Sequence, residues 1–252
     1  MTGILISGVN GKMGSMLAEI VSSRKDCLVC VGMDTNTAKQ RDFMVFAPGK
    51  YEGAADVIID ASNCEGTAGL LEYAIRRSLP LVIMTTGHDE AQLTLIKEAS
   101  EKIPIFKSGN MSVGICILSA LVKKTAEILG AAFDIEIVEA HHNKKLDAPS
   151  GTALMLAGSA AEGLSQTPVY TYDRHLQRKP RDHEEIGIHS IRGGTIIGEH
   201  SVIFAGEDEV VTLSHSAGSR KMFAAGAVNA ALFLSRKKPG LYNMNDLIGG
   251  SL

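Results

Sequence analysis

The chain has 252 residues, enough to bury a sizeable core as one large domain or two smaller ones. It carries 25 lysines and arginines against 28 acidic residues, and this net charge of −3 excludes a general positive field that would attract nucleic acid or an anionic membrane. No apolar stretch reaches the roughly 20 residues of a membrane-spanning helix, and the first residues have no basic leader before a long apolar run. We therefore expect a cytoplasmic protein.

The first 112 residues predict a parallel sheet, because short apolar runs alternate with amphipathic helical stretches. We expect strands at Gly3–Ser7, Leu28–Asp34, Val57–Asp60, Leu81–Thr85 and Ile103–Phe106. We expect helices at Met13–Ser23, Thr67–Arg77 and Glu90–Lys102. The fold class is therefore α/β, with a Rossmann-type dinucleotide-binding domain over residues 1–112.

The four cysteines all lie in the first half of the chain and do not form the dense framework of a small secreted domain, which fits a reducing compartment. Cys27 and Cys30 form a Cys-x-x-Cys, a spacing also found in redox and zinc sites. We interpret this segment instead as a buried strand, in which residues three apart point to opposite faces.

The second half predicts a smaller α+β domain over residues 113–220 with a mostly antiparallel sheet. Its expected helices are Val113–Leu129 and residues 150–165, and a polar loop is expected at Thr167–Glu185. Its expected strands are Asp134–Ala140, Gly187–Arg192, His200–Ala205 and Glu209–His215. A C-terminal helix within residues 221–252 is expected to pack back on the first domain.

A glycine-rich turn joins the first strand to the first helix. Its residues are Gly8, Val9, Asn10, Gly11, Lys12, Met13 and Gly14. Glycines let the backbone approach a pyrophosphate, whose charge the N–H groups at the helix start would face. The spacing is G-x-x-G-x-x-G, and Asn10 takes the usual second glycine position, which we attribute to the tolerance of asparagine for left-handed backbone.

Asp34 follows the second strand about twenty residues after the turn, where a carboxylate would accept hydrogen bonds from the adenosine ribose. The alternative is a tight turn with no ligand and an aspartate that only caps a loop. Because Asp34 repels a 2′-phosphate, we favour NADH as cofactor; Lys12, Lys39 and Arg41 could supply positive charge and keep NADPH open.

Two further loops follow strands at the edge of the sheet where ligands bind in open α/β folds. They are Met84, Thr85, Thr86 and Gly87, and Ser108, Gly109, Asn110 and Met111. Their polar groups could hold the nicotinamide end of the cofactor, although ordinary connections use the same residue types.

The stretch from Glu139 to Ala153 gathers proton-transfer and cationic groups ahead of a helix that begins near Pro149-Ser150. We expect the exposed amides of Ser150, Gly151 and Thr152 to form an anion site. Two readings compete with this one: a metal site on the adjacent His141 and His142, which lacks a third ligand, or a solvated basic loop.

The stretch Glu-Ala-His-His-x-x-Lys-x-Asp-Ala-Pro-Ser-Gly-Thr-Ala resembles the signature of the dihydrodipicolinate reductases, also called 4-hydroxy-tetrahydrodipicolinate reductases, of bacterial lysine and diaminopimelate synthesis. The likeness extends over nearly the whole chain. It implies NAD(P)H-dependent reduction of a small cyclic dicarboxylate, which loses water and takes a hydride at ring C4, by a homotetramer whose substrate-domain sheets pack together.

The same resemblance implies roles for individual residues. His141 would be the proton donor and Lys145 the cationic catalytic residue, with no metal involved. The substrate carboxylates would be held by His142, Lys145, Ser150, Gly151 and Thr152. The rival hypotheses are a semialdehyde or homoserine dehydrogenase, and a dinucleotide-sensing regulator without catalysis; no DNA-reading element is evident for the latter.

Overall fold

The computed structural model describes residues 1–175 and 178–249 and divides into two compact units. The N-terminal unit comprises Met1–Ser112 and the described chain from Lys221 onward. The central unit comprises residues 113–220. Among the described residues no helix is both long and apolar enough to cross a membrane.

The strands of the described residues, in chain order, are β1 (Thr2–Ser7), β2 (Cys27–Met33), β3 (Val45–Phe46), β4 (Val57–Asp60), β5 (Leu81–Ile83), β6 (Pro104–Lys107), β7 (Asp134–His141), β8 (Val169–Thr171), β9 (Glu185–Arg192), β10 (Glu199–Ala205), β11 (Val210–Ser216) and β12 (Gly240–Tyr242). The α-helices are α1 (Lys12–Ser22), α2 (Thr67–Arg76), α3 (Glu90–Ser100), α4 (Val113–Leu129), α5 (Gly151–Gly163), α6 (Lys221–Leu234) and α7 (Met244–Leu247).

The N-terminal unit is built on a seven-stranded parallel sheet in the order β12-β6-β5-β4-β1-β2-β3. Its central strands are apolar on both faces, since β4 is buried throughout, as expected for a parallel sheet covered by helices on both sides. Helix α6 packs against α1 and against β4, β5 and β6. This arrangement confirms the predicted Rossmann-type fold class and the expected strand at Cys27 and Cys30.

The central unit contains a five-stranded mixed sheet in the order β11-β10-β7-β9-β8. Strand β10 pairs antiparallel with β11 and β7, whereas β7 with β9 and β9 with β8 are parallel. The parallel half follows from helix α5, which carries the chain back across the sheet between β7 and β8. Helices α4 and α5 share one apolar cluster with the sheet residues Ile137, Ile188 and Phe204.

The C-terminal helix expected within residues 221–252 is observed at Lys221–Leu234. Strand β12 and the short helix α7 follow it, and residues 250–252 lie outside the described chain. A strand in this segment was not expected from the sequence. Strand β8 likewise lies within the expected loop Thr167–Glu185, of which residues 176–177 are outside the described chain.

Candidate active site

The glycine turn after β1 admits no larger residues at two of its positions. Gly8 has a φ of +74°, and a Cβ there would lie 2.7 Å from the carbonyl oxygen of Ala61. A Cβ on Gly14, in the first turn of α1, would lie 2.2 Å from the carbonyl oxygen of Gly8. Helix α1 has no acidic residue in its first turn and no side-chain cap, so its first N–H groups face the turn, as an anion site requires.

Asp34 braces this turn. One of its carboxylate oxygens accepts the Asn10 N–H at 2.9 Å, and the other accepts the Asn36 N–H at 3.0 Å. Each oxygen keeps a further lone pair that a ribose hydroxyl could use. Asp34 therefore caps the loop, as the alternative interpretation expects. Its remaining lone pairs could also accept hydrogen bonds from a ribose.

The prediction that Asn10 has left-handed backbone was wrong. Among the non-glycine residues described, only Ser78 has a positive φ, so Asn10 is not in the left-handed region. Its side chain instead donates to the Asn36 carbonyl at 2.7 Å and accepts from Arg41 Nε at 3.0 Å. An asparagine occupies this position because it links the turn to the chain after β2.

Arg41 adds positive charge beside the turn. Its guanidinium also donates to the Val9 carbonyl at 2.8 Å and to Ser15 Oγ at 2.7 Å, while Lys39 Nζ lies 3.3 Å from the Asn10 carbonyl oxygen. A cavity of about 680 Å³ opens between the turn, Asp34 and the loop after β4. The glycine cradle, the helix start and this cavity fit a dinucleotide.

The loop from Met84 to Gly87 is tied to the end of β4. The buried carboxylate of Asp60 accepts hydrogen bonds from Ser62 Oγ at 2.6 Å and Thr85 Oγ1 at 3.2 Å. Burial raises the pKa of Asp60, against these hydrogen bonds. His88 Nε2 lies 3.0 Å from Thr67 Oγ1 and 3.3 Å from Thr85 Oγ1.

The second expected nicotinamide loop, Ser108–Met111, is held largely by its own bonds. Ser108 Oγ donates to the Asn110 carbonyl at 2.9 Å, and the Asn110 side chain accepts the Ser112 N–H at 2.8 Å. Met111 is buried, and Gly226 of α6 passes so close that a Cβ there would lie 1.7 Å from the Met111 carbonyl oxygen. The loop therefore has a fixed shape at the end of β6.

In the central unit, β7 ends at His141, and Glu139 lies two residues earlier on the same face of the strand. Glu139 is 0% exposed, and its carboxylate lies 2.6 Å from His141 Nδ1. Arg192, opposite His141 on β9, donates to both carboxylate oxygens at 2.7 and 2.8 Å. The Ser150 N–H donates to the same carboxylate at 3.1 Å.

These bonds determine the protonation of the pair. Burial alone would raise the pKa of Glu139, but hydrogen bonds from Arg192, Ser190, His141 and Ser150 outweigh it and lower the pKa to about 2. The ionised carboxylate can only accept, so His141 Nδ1 carries a proton and Nε2 is the nitrogen left for chemistry. Gly198 lies beside Nε2, and a Cβ there would come within 3.0 Å of that nitrogen.

Lys145 and His142 lie on the loop that returns the chain from β7 to α5. Lys145 Nζ pairs with Asp147 at 2.8 Å, and its backbone N–H donates to the His142 carbonyl at 3.1 Å. His142 Nε2 lies 3.5 Å from Arg220 Nη2. The charges of His141 and Lys145 both lower the pKa of His200, so the three side chains share one electrostatic environment.

The start of α5 differs from the expected anion site in one respect. Ser150 is buried and its N–H donates to Glu139, so this amide is not exposed for a ligand. Its side chain caps the helix by accepting the Ala153 N–H at 3.2 Å and lies 3.1 Å from His200 Nε2. The helix begins at Gly151 with no acidic residue in its first turn, and Thr152 follows.

Sequence reasoning did not assign roles to Glu139, Arg192 or His200. The signal for Glu139 was its position two residues before His141, which places both side chains on one face of a strand. The positions of Arg192 and His200 depend on the pairing of β9 and β10 with β7, and the sequence contains no signal for that pairing.

A Rossmann-type unit with a dinucleotide cradle and a second unit with a carboxylate–histidine pair at a helix start define a dinucleotide-dependent oxidoreductase. Two family models match the chain: "Dihydrodipicolinate reductase, N-terminus" over residues 2–111 and "Dihydrodipicolinate reductase, C-terminus" over residues 114–248. The chain belongs to the dihydrodipicolinate reductase family.

Individual relatives agree with this assignment. The chain is 49% identical to a 4-hydroxy-tetrahydrodipicolinate reductase of Caldanaerobacter subterraneus, over 98% of both chains. It is 42% identical to the enzyme of the same name from Clostridium tetani, over 98% of this chain and 97% of that one. The structure is similar to that of a dipicolinate-bound dihydrodipicolinate reductase from Paenisporosarcina, with a TM-score of 0.76 and 25% identity over 98% and 99% of the two chains.

Proposed function

We propose that this chain is a 4-hydroxy-tetrahydrodipicolinate reductase, which reduces a cyclic dicarboxylate to tetrahydrodipicolinate with loss of water in lysine and diaminopimelate synthesis. The observation that carries the proposal is the buried Glu139–His141 pair beside the start of α5, because a histidine there could protonate a substrate whose carboxylate binds at the helix start. The family of the chain supports the substrate class, which decides against a semialdehyde or homoserine dehydrogenase.

The residues of the central unit would bind and protonate the substrate. One carboxylate would lie at the start of α5, where Gly151, Thr152 and the Ser150 hydroxyl are placed, and Lys145 and His142 would supply positive charge. The bound nicotinamide would supply a hydride to ring C4. His141 Nε2 would then donate the proton that the reduced ring needs, while Glu139 stabilises the imidazolium from the other side.

The residues of the N-terminal unit would hold the cofactor. Gly8, Val9, Asn10, Gly11, Lys12, Met13 and Gly14 would surround the pyrophosphate, and Asp34 the adenosine ribose. The loops Met84–Gly87 and Ser108–Met111 would hold the nicotinamide end. Support comes from the glycine cradle and the cavity between Asp34 and the turn.

The activity is tested with substrate freshly generated from pyruvate and aspartate semialdehyde by the preceding synthase. Oxidation of NADH or NADPH that depends on this substrate, and that pyridine-2,6-dicarboxylate inhibits competitively, is the expected result. Oxidation of neither cofactor by folded protein would refute the proposed activity.

We also propose that NADH is accepted at least as well as NADPH, because Asp34 can bond a ribose diol and repels a 2′-phosphate. Arg41 beside the turn is the group that opposes this preference. The measurement is the ratio of kcat/KM for the two cofactors, with Arg41→Ala as a second variant. A strong preference for NADPH that persists at moderate salt would contradict the proposal.

A further inference from the structure

Ser150 and His200 form a buried hydrogen bond behind the proposed carboxylate site. Ser150 is 2% exposed and His200 is 4% exposed, and Ser150 Oγ lies 3.1 Å from His200 Nε2. His200 pairs with Glu139 across β10 and β7, so the antiparallel register brings its ring to the face of the sheet that carries the Glu139–His141 pair. The rings of His141 and His200 are 5.2 Å apart.

The direction of this hydrogen bond can be settled by counting donors and acceptors. A serine hydroxyl has one hydrogen and two lone pairs, and one lone pair of Ser150 Oγ already accepts the Ala153 N–H. If the hydroxyl donated to Nε2, a neutral His200 would carry its proton on Nδ1. That atom is buried and has no hydrogen-bond partner among the described residues, so an N–H donor would be left unpaired.

The opposite arrangement moves the unpaired donor from His200 to Ser150, where a bound ligand can accept from it. With the proton on Nε2, His200 donates to the second lone pair of Ser150 Oγ, and Nδ1 is left with only an unused lone pair. Both lone pairs of Ser150 are then occupied, and its single O–H must point away from His200 and from the helix. A carboxylate at the helix start is a suitable acceptor for that O–H.

We propose that His200 is a positioning residue that, as the Nε2–H tautomer, turns the Ser150 hydroxyl outward to donate to a substrate carboxylate. This inference rests on the proposed function for the identity of the ligand. His200 is suited to the role because burial, and then the charge of His141, lower its pKa to about 4, which keeps the ring neutral at pH 7.

The tautomer is measured directly by long-range proton–nitrogen NMR of the full chain labelled with ¹⁵N-histidine. The His200 signals are assigned by their loss in His200→Gln. We expect Nε2 to have the shift of a protonated nitrogen and Nδ1 that of an unprotonated one, at pH 7, with and without pyridine-2,6-dicarboxylate. A proton on Nδ1, or on both nitrogens, in the ligand-bound protein would overturn the proposal.

A mutant cycle tests whether His200 acts through Ser150. His200→Leu removes the donor and should raise the inhibition constant of pyridine-2,6-dicarboxylate about 10- to 100-fold, with KM affected more than kcat. His200→Gln, whose side-chain amide can donate from a similar position, should stay within about 3-fold of wild type. In a Ser150→Ala background, His200→Leu should cause no further loss, because the hydroxyl that His200 positions is already gone.

The controls separate this inference from folding and from the proposed function. Independent, multiplying losses in the double variant would show a purely structural role for His200 and contradict the proposal. If His200→Leu does not fold, the tautomer and the behaviour of His200→Gln still decide the matter. If wild type folds but does not reduce the substrate, the proposed activity fails, whereas the tautomer and dicarboxylate binding are still read without turnover.

Discussion

His141 and Lys145 have different partners, and their removal should therefore have different kinetic effects. His141 is held by a buried carboxylate and has one nitrogen directed to an open space, whereas Lys145 lies on the following loop in an ion pair with Asp147. We expect His141→Gln to lower kcat by about 10² to 10⁴, the usual loss of general-acid catalysis, with little change in KM. We expect Lys145→Ala to raise KM and lower kcat together, because it removes a charge used in binding and in the transition state.

The measurement is kcat and KM as a function of pH for wild type and both variants. If His141 is the proton donor, the dependence of kcat on pH in wild type should be lost in His141→Gln. Cofactor binding followed by fluorescence shows that the variants are folded. A kcat near that of wild type in folded His141→Gln would remove His141 from the mechanism.

The buried His200 should make stability depend on pH. Its pKa is lowered to about 4 in the folded chain, first by burial, so the unfolded state takes up a proton before the folded state does. The contribution of His200 to the free energy of unfolding is therefore complete above pH 6.5. About 3 kcal/mol of it is lost as the pH falls from 6.5 to 4. Denaturant unfolding at several pH values should show this fall in unfolding free energy in wild type and a smaller fall in His200→Gln. An equal fall in both proteins would contradict the lowered pKa of His200.

At the residue scale the sequence indicated which residues gather before α5, but it did not indicate which residues of distant strands contact them. His141, Lys145 and the start of α5 are recognisable because proton donors and cations precede a helix in one continuous stretch. Arg192 and His200 are 51 and 59 residues beyond His141 in the numbering, and only the strand register brings them to Glu139 and Ser150. The Ser150 amide was misjudged for the same reason, since its acceptor Glu139 is on another element.

At the scale of the element, helix α1 depends on a glycine in its first turn. A Cβ on Gly14 would lie 2.2 Å from the Gly8 carbonyl oxygen, a backbone atom that cannot move without reshaping the turn. Gly158, inside α5, has nothing within 4 Å of its hypothetical Cβ and is the matched control. We expect Gly14→Ala to weaken cofactor binding at least about 10-fold and to lower the stability of the fold, because the added methyl group would displace the backbone of the turn.

The control should change in the opposite direction. Gly158→Ala adds helix propensity without a clash and should stabilise the chain by up to about 1 kcal/mol, with cofactor binding unchanged. Calorimetric melting and a cofactor titration measure both effects. Unchanged cofactor affinity in Gly14→Ala would show that the turn does not bind the dinucleotide as proposed.

Element prediction succeeded where the hydrophobic period was strong. Helix α4 was predicted with its observed bounds, and the long strands were found to within two residues, because each has a buried face that repeats along the chain. Strands β3, β8 and β12 have two or three residues each, too few for any period to be seen. Their pairing with longer neighbours, rather than their own sequence, makes them strands.

At the scale of the whole molecule, α4 and α5 cover one face of the central sheet, and the other face carries exposed side chains in the part of the chain that the structure describes. Ile191 of β9 and Val210 of β11 lie on this exposed face, and they are 52% and 62% exposed. Helices α4 and α5 pack with the opposite, inward-facing side chains of the sheet. Exposed apolar side chains on such a face are suited to pack against another copy of the chain, which fits the homotetramer that the family resemblance predicts.

This assembly makes a prediction about solution mass. Light scattering should give four times the 26.8 kDa of one chain for wild type, and Ile191→Asp or Val210→Asp should reduce it, because each would bury an unpaired charge between sheets. Ile128→Asp is the control, since Ile128 is 71% exposed but lies on α4, away from that face. A wild-type monomer would contradict the tetramer. Loss of the tetramer in Ile128→Asp, with both sheet variants unaffected, would place the contact on the helical side instead.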